Sequence, residues 1–435
     1  MTELREGLLA ADRAHVWHPY TPMGPWLAGS DPLVVTRAEG VRLHDADGRA
    51  YLDANASWWV SALGHGHPRL VAALVRQAQT LAHCALAGIV HEPAARLAEE
   101  LAAVAPPGLS RVFFSDDGST AVEAAVKLCL QLAHQTGRPR RTRLLALEQA
   151  FHGDTLGATS LGGVEVFRRP FASALLDCVR VAPPADAASL EAAFDALGRA
   201  IRAGADELAA VVVEPIVQGA AGMRIYPPAF LRHLRELCTA HDIPLVADEV
   251  FTGYGRTGPM WACEHAGVVP DLLCTAKAFS GGMLPMAATL ASDAVFEGFL
   301  GDRDRAFLHG HSFTGNPLGA AVAREVLAVY RDERILERAA PKAARIAEAF
   351  RAMGSLPHVR ATRALGMIGA LDLDGDEGYL ADAGWRVARA ARDRGVYLRP
   401  LGNVVYVTPA LNIGADDLDD LLGRVAESVA AALSG

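Results

Sequence analysis

The chain has 435 residues, 51% of them apolar and 21% charged, the balance of an ordinary folded globular protein; at roughly 100–200 residues per domain it has room for two or three domains. A formal charge of −9 argues against a polyanion partner, because phosphate backbones are bound through clustered Lys and Arg, so nucleic-acid binding is not expected. Only three of the 41 basic residues are lysines, Lys127, Lys277 and Lys342, and chemistry that needs a primary amine is limited to these three.

The opening MTELREGLLAADRAHVW alternates acid and base and lacks the apolar run of a signal peptide, and nowhere do about 18 uncharged apolar residues follow one another. We expect a cytoplasmic protein with no membrane partner. Six cysteines without CxxC spacing read as reduced, buried thiols. The first 57 residues, with RLHDADGRAYLDAN as a hairpin about Asp47 and Gly48, carry no helix-rich core and are expected to pack on a smaller domain.

From about residue 110, short apolar strands alternate with helical stretches, the pattern of a mostly parallel α/β sheet. The strands predicted are 111–115, 144–147, 208–214, 243–248 and 272–276. The stretch 228–242 reads as a helix with Phe230, Leu231, Leu234 and Cys238 on one face. A helix begins near Pro317. Beyond it the pattern is helix (341–353), strand (366–373), helix (384–394), strands (396–398 and 404–408) and a closing helix with Leu418, Leu421, Leu422, Val425 and Val429 on one stripe. We expect a large α/β domain over 58–326 and a smaller α+β domain from 1–57 and 327–435. Ligands of open α/β sheets bind at strand carboxyl ends, so a site is sought there.

Lys277 is the only charged residue between Asp271 and Asp293. Burial would depress its pKa and free a neutral amine to attack a carbonyl, although the charge pattern alone better suits a lysine snorkelling at a strand end. Lys127 has Glu123 one helical turn earlier, and Lys342 starts a surface-type helix, so both read as structural. Asp248 ends an apolar strand, where an unpaired carboxylate would be costly; a pyridinium N–H, a metal or a helix cap would each satisfy it, together with Glu249. No His/Asp cluster at metal spacing accompanies it, and no metal is expected. SDDGSTAVEAAVK, 115–127, follows a strand and opens a helix: Gly118 permits a tight turn, and Ser119 and Thr120 offer hydroxyls beside free N–H groups, suited to a phosphate or to an ordinary N-cap. Anion cradle, strand-end Asp and isolated Lys together are what pyridoxal 5′-phosphate requires.

VVVEPIVQGAAGM, LVADEVFTGYGRTG, DLLCTAKAFSGG and HGHSFTGNPLG resemble the class III (ω-amino) aminotransferases of the type I pyridoxal phosphate fold, and the likeness extends over nearly the whole chain. WHPYTPM at 17–23, SWW at 57–59 and YLRPLGNVVYVTP at 397–409 resemble the branch of that family that aminates 8-amino-7-oxononanoate in biotin biosynthesis, usually with S-adenosylmethionine as donor. The resemblance implies a mostly parallel seven-stranded sheet in the large domain. It implies that Lys277 carries the cofactor as a Schiff base and moves the proton, and that Asp248 keeps the ring nitrogen protonated. Gly118 and Ser119 would bind the phosphate, with Ser312 and neighbouring His311 reaching it from the other subunit of a homodimer. Phe151 would stack on the ring, with His152 beside it, and Glu214 would form an ion pair with Arg256. Arg399 would take the substrate carboxylate, while Tyr20, Trp58, Trp59 and Gly310 would flank its hydrocarbon chain.

Two departures bear on the donor. Phe151 stands where related enzymes often have Tyr, and HGHSFTGNP at 309–317 is closer to other class III members and to those of this branch that use lysine, whereas Trp58 and Trp59 point back toward S-adenosylmethionine. The alternatives are therefore the lysine-dependent form of the same activity, an ω-transaminase of 4-aminobutyrate, ornithine or a β-amino acid, and a cofactor-binding protein without turnover.

Overall fold

The computed structural model describes residues 3–375 and 378–433. An N-terminal helix, Glu3–His15, precedes β1 (Val35–Glu39), β2 (Arg42–Asp45) and β3 (Ala50–Asp53), and β2 and β3 form the hairpin expected about Asp47 and Gly48. The large sheet contains β4 (Leu109–Ser115), β5 (Arg143–Leu147), β6 (Cys178–Val181) and β7 (Leu208–Val213); after the short hairpin β8 (Val217–Gln218) and β9 (Arg224–Ile225) it continues with β10 (Leu245–Asp248), β11 (Leu272–Thr275) and β12 (Ala287–Ser292). Its order is β4-β12-β11-β10-β7-β5-β6. β12 alone runs opposite to the other six strands. Neither β12 nor β6 was predicted from sequence: β12 lies in one continuous apolar run after Lys277, where periodicity does not separate a buried strand from other buried chain.

Both faces of this sheet are covered, which is why β7 reads LAAVVV and is buried at every residue. The period-2 pleat divides the side chains between two layers. Leu144, Ala146, Val212 and Val246 pack with residues of the helix Gly118–Gln135, whereas Leu145, Leu147, Val211 and Leu245 join the core on the opposite face.

The C-terminal part adds β13 (Val359–Leu365), β14 (Ile368–Leu373), β15 (Val396–Tyr397) and β16 (Val404–Val407). β13-β14-β16 form one antiparallel sheet, and β15 joins β3 in parallel, tying the N-terminal hairpin to the C-terminal elements. Here the predicted boundaries move. The helix expected from 341 begins six residues earlier, as Ile335–Met353 with Pro341 inside it, and β13 was not foreseen.

The expected settings of two lysines are also corrected. Lys342 is not at the surface: it is buried, and its Nζ donates to the carbonyls of Leu411 and Ile413, the latter at 3.1 Å. Lys127 does not face Glu123; its Nζ lies 3.0 Å from His309 Nδ1, while Glu123 accepts the Gly157 and Ala158 N–H groups across the helix interface. Glu123 is drawn to those unpaired helix-start donors, which an i,i+4 rule does not take into account. Among the described residues no helix is long and apolar enough to cross a membrane.

Candidate active site

Because β4, β5, β7, β10 and β11 run the same way, their carboxyl ends deliver the following residues to one edge of the sheet. A cavity of about 550 Å³ opens there, lined by Asp116–Ser119 after β4, Phe151–Asp154 after β5, Glu214 after β7, Asp248 at the end of β10 and Lys277 after β11. Tyr20, Trp58 and Trp59 line it from the N-terminal segment.

Asp248 is buried and already has a partner. Its Oδ2 lies 2.7 Å from His152 Nδ1, and its Oδ1 accepts the Val250 N–H at 3.1 Å. Burial pulls the His152 pKa down, but the hydrogen bond to Asp248 and its charge outweigh this and hold it above the ordinary imidazole value. Glu214, also buried, accepts the Phe151 N–H (3.0 Å) and the Gly219 N–H (2.9 Å). Burial pushes its carboxyl up to about 7, with the His152 charge opposing.

Lys277 sits at φ +53°, a left-handed conformation uncommon outside glycine, in the first turn after β11. Burial lowers its pKa, and the charges of Asp248 and Glu214 offset only part of that effect. Its Nζ is 5.3 Å from the centre of the Trp59 ring.

The helix Gly118–Gln135 is capped by Asp117, not by Ser119 or Thr120. Asp117 Oδ1 accepts the Thr120 N–H at 2.9 Å, and Thr120 Oγ1 accepts the Asp117 N–H at 3.0 Å, so the Thr120 hydroxyl is engaged in a reciprocal capping box. Ser119 Oγ accepts the Asp154 N–H at 3.1 Å. Two glycines let these segments close up. A Cβ on Gly118 would lie 2.7 Å from Val250 Cγ1, and one on Gly153, at φ +129°, would lie 2.1 Å from Ser119 Oγ.

The remaining expected residues fall into three groups. Tyr20 donates to Asp154 Oδ2, and its ring lies 5.5 Å from Trp58 and 5.7 Å from Phe167, which in turn meets Phe151 at 5.6 Å; these rings form an aromatic wall. Arg399 stacks over Trp58, its guanidinium carbon 4.7 Å from the ring centre, and its backbone N–H donates to Asn55 Oδ1. His311 Nδ1 lies 3.1 Å from Asp116 Oδ2, at the cavity rim, whereas Gly310 and Ser312 are exposed and do not line the cavity of this chain.

The expected ion pair of Glu214 with Arg256 is not formed. Arg256 is buried and donates to the carbonyls of Met367 (3.4 Å) and Pro409 (2.8 Å), and burial pulls its pKa down to about 10. Its loop packs against the C-terminal elements, and the carboxylate of Glu214 is satisfied by backbone donors. Glu249 is a cap: it accepts the Ala262 and Cys263 N–H groups at 2.9 and 2.8 Å. Asp154 and Phe251 line the cavity without having been singled out from sequence, although Asp154 lies three residues after Phe151 in AFHGDT.

The donor set fits pyridoxal phosphate. A depressed-pKa amine and a buried carboxylate share one cavity with a glycine-lined turn at a helix N-terminus, and a Cβ at Gly118 or Gly153 would disturb that turn.

The chain belongs to the class-III aminotransferases: the family model described as "Aminotransferase class-III" matches residues 27–429. Among its relatives is the adenosylmethionine-8-amino-7-oxononanoate aminotransferase of Nitratidesulfovibrio vulgaris, 44% identical over 98% of this chain and 82% of that protein. The crystal structure of the enzyme of the same name from Methanocaldococcus jannaschii superposes with a TM-score of 0.94 at 33% identity, covering 98% of this chain and 99% of that one. An ω-transaminase from Pseudomonas jessenii in complex with PMP gives 0.92 at 30% identity, covering 98% of each chain.

Proposed function

We propose that this aminotransferase uses pyridoxal 5′-phosphate to transfer an amino group from S-adenosylmethionine to 8-amino-7-oxononanoate, giving 7,8-diaminononanoate in biotin biosynthesis. The observation that carries this reading is the meeting of Lys277, Asp248 and Trp58 in one cavity, with Arg399 stacked on Trp58. The names of the relatives supply the substrate pair.

When bound, the cofactor supplies an electron sink for the carbon that carries the transferred nitrogen. The residues of the chain divide the remaining work. Gly118 and Ser119 N–H groups would bind the phosphate at the positive end of the helix dipole. Asp248, held in place by His152, would keep the proton on the ring nitrogen. Lys277, whose pKa burial lowers, would take the proton from the substrate carbon and return it. Phe151, fixed through its N–H by Glu214, would cover the ring face. Trp59 would exclude water from beside the amine.

The acceptor is a long aliphatic keto acid. Its carboxylate suits the Arg399 guanidinium, and its methylenes suit the walls formed by Tyr20, Trp58 and Phe151. We assign 58–326 as the cofactor-binding body and 1–57 with 327–435 as the smaller domain. We also assign a cytoplasmic homodimer in which His311, Ser312 and Gly310 serve the opposite cavity; the exposure of Gly310 and Ser312 in a single chain, next to His311 at the rim residue Asp116, supports this.

Phe151 favours a second donor, lysine, because it lacks the hydroxyl that a Tyr would offer to an S-adenosylmethionine amino acid group. One experiment tests both. The purified protein is mixed with the keto acid and each donor in parallel, and the diamine is measured by mass spectrometry. Product with S-adenosylmethionine supports the proposal, product with lysine alone moves the donor, and no diamine with either overturns the substrate assignment.

A further inference from the structure

We propose that Asp53, together with His65, is a positioning group for the acceptor subsite: it holds the turn that carries Trp58 in register with Arg399. This rests on the assignment of Trp58 and Arg399 to the acceptor.

The turn after β3 is conformationally costly. Ala56, Ser57 and Trp59 all have positive φ, at 45°, 65° and 68°, and Ser57 has ψ −82°, outside the left-handed well. L residues hold such angles only where the surroundings over-determine them. Here the constraint that reaches into the turn itself comes from a buried carboxylate. Asp53 is buried, its Oδ1 accepts the Asn55 N–H at 3.1 Å, and its Oδ2 accepts the Ser57 N–H at 2.7 Å and faces His65 Nε2 at 2.8 Å. His65 is itself anchored, exchanging backbone hydrogen bonds with Gly40 at 2.7 and 2.9 Å. The carboxylate therefore ties the turn to the N-terminal sheet.

The same turn fixes the main chain from which the Arg399 side chain extends. Asn55, whose N–H Asp53 accepts, receives the Arg399 N–H on its Oδ1 at 2.7 Å and donates through Nδ2 to the Tyr406 carbonyl at 3.2 Å. Trp59 Nε1 donates to the Tyr406 hydroxyl at 3.1 Å. Trp58 and Arg399 thus meet at 4.7 Å because both are referenced to one turn. Neither Asp53 nor His65 lines the cavity. A carboxamide has one acceptor oxygen, so Asp53→Asn would present N–H groups to at least one of the three donors.

The test is a double-mutant cycle on the loaded enzyme. Asp53→Asn is expected to raise KM for 8-amino-7-oxononanoate by about tenfold, with kcat within about threefold and cofactor content unchanged. On a Trp58→Ala background the same substitution is expected to raise KM by clearly less than in the wild type, leaving only the part that runs through Asn55 and Arg399; effects that multiply fully would overturn the proposal. His65→Ala should shift KM in the same direction, and His65→Gln, which keeps a donor toward Asp53, should restore it. His65→Ala carries the cycle if Asp53→Asn does not fold. A second readout needs no substrate: the near-ultraviolet dichroism due to Trp58, obtained by subtracting the Trp58→Ala spectrum, should vanish in Asp53→Asn, and its persistence would overturn the proposal. If the wild type aminates pyruvate but not 8-amino-7-oxononanoate, the substrate assignment has failed, and the dichroism still decides the role of Asp53.

Discussion

His152 Nδ1 and Asp248 Oδ2 lie 2.7 Å apart, both buried, and they join the loop after β5 to the end of β10. That carboxylate is the main support of the charged imidazole, with a smaller contribution from Glu214. Asp248→Asn is expected to lower turnover by on the order of a thousandfold, through loss of the charge opposite the ring nitrogen. It should also let burial dominate and drop the His152 pKa, as measured by NMR titration. In the wild type the folded pKa is raised, so the stabilisation from this pair is full below about 6.5 and fades as pH rises through the raised value. An unchanged imidazole titration in the variant would contradict the pairing.

Borohydride reduction of the cofactor-loaded protein, followed by peptide mapping, should place the label on Lys277. Lys342 is buried against carbonyls, and Lys127 is turned toward His309. Lys277→Ala should lose both the label and all transamination, and a label on either other lysine would refute the assignment.

Gly153→Ala places a Cβ 2.1 Å from Ser119 Oγ on a backbone at φ +129°. The loop after β5 must then move from the helix start. We expect cofactor affinity to fall by tenfold or more, roughly the loss of one charge-assisted hydrogen bond, measured by equilibrium dialysis.

Arg399→Met keeps part of the stacking surface on Trp58 and removes the charge. The expected result is a rise in acceptor KM of about a hundredfold, with the donor half-reaction kept within a few-fold. Stopped-flow spectroscopy of the separate half-reactions distinguishes the two, and an equal loss in both would reject the assigned role.

Glu249 lies outside the chemistry and offers a pH test of the core. Burial pushes its carboxyl up to about 7 from 4.5, even though it accepts hydrogen bonds from Thr252 and two backbone N–H groups. The folded state therefore retains a proton that the unfolded chain has released, and stability drains away as pH rises from 4.5 through 7. Glu249→Gln does not titrate. Its stability deficit relative to wild type should shrink by about 3 kcal/mol between pH 4.5 and about 8, read from denaturant unfolding.

Lys277, Asp248 and the turn at Gly118 were legible in the sequence because each is marked by a local contrast: a lone charge in an apolar run, a carboxylate at a strand end, a glycine between a strand and a helix. The parallel sheet was legible for the same reason, since its fully covered strands are continuous apolar runs. Partner choice was not. Glu123 and Lys127 sit at ideal helical spacing yet turn to Gly157 and His309, and Glu214 takes backbone donors while Arg256 takes carbonyls. Polar groups pair with whatever packing brings within about 3 Å, and the partners here lie anywhere from 5 residues away, for Glu214 and Gly219, to 182, for Lys127 and His309. The sequence by itself thus determined which side chains this protein has available for chemistry and the strand ends that carry them. Only the tertiary structure decided that His152 backs Asp248 and that Arg399 stacks on Trp58, because each of those contacts is created by the docking of separate elements.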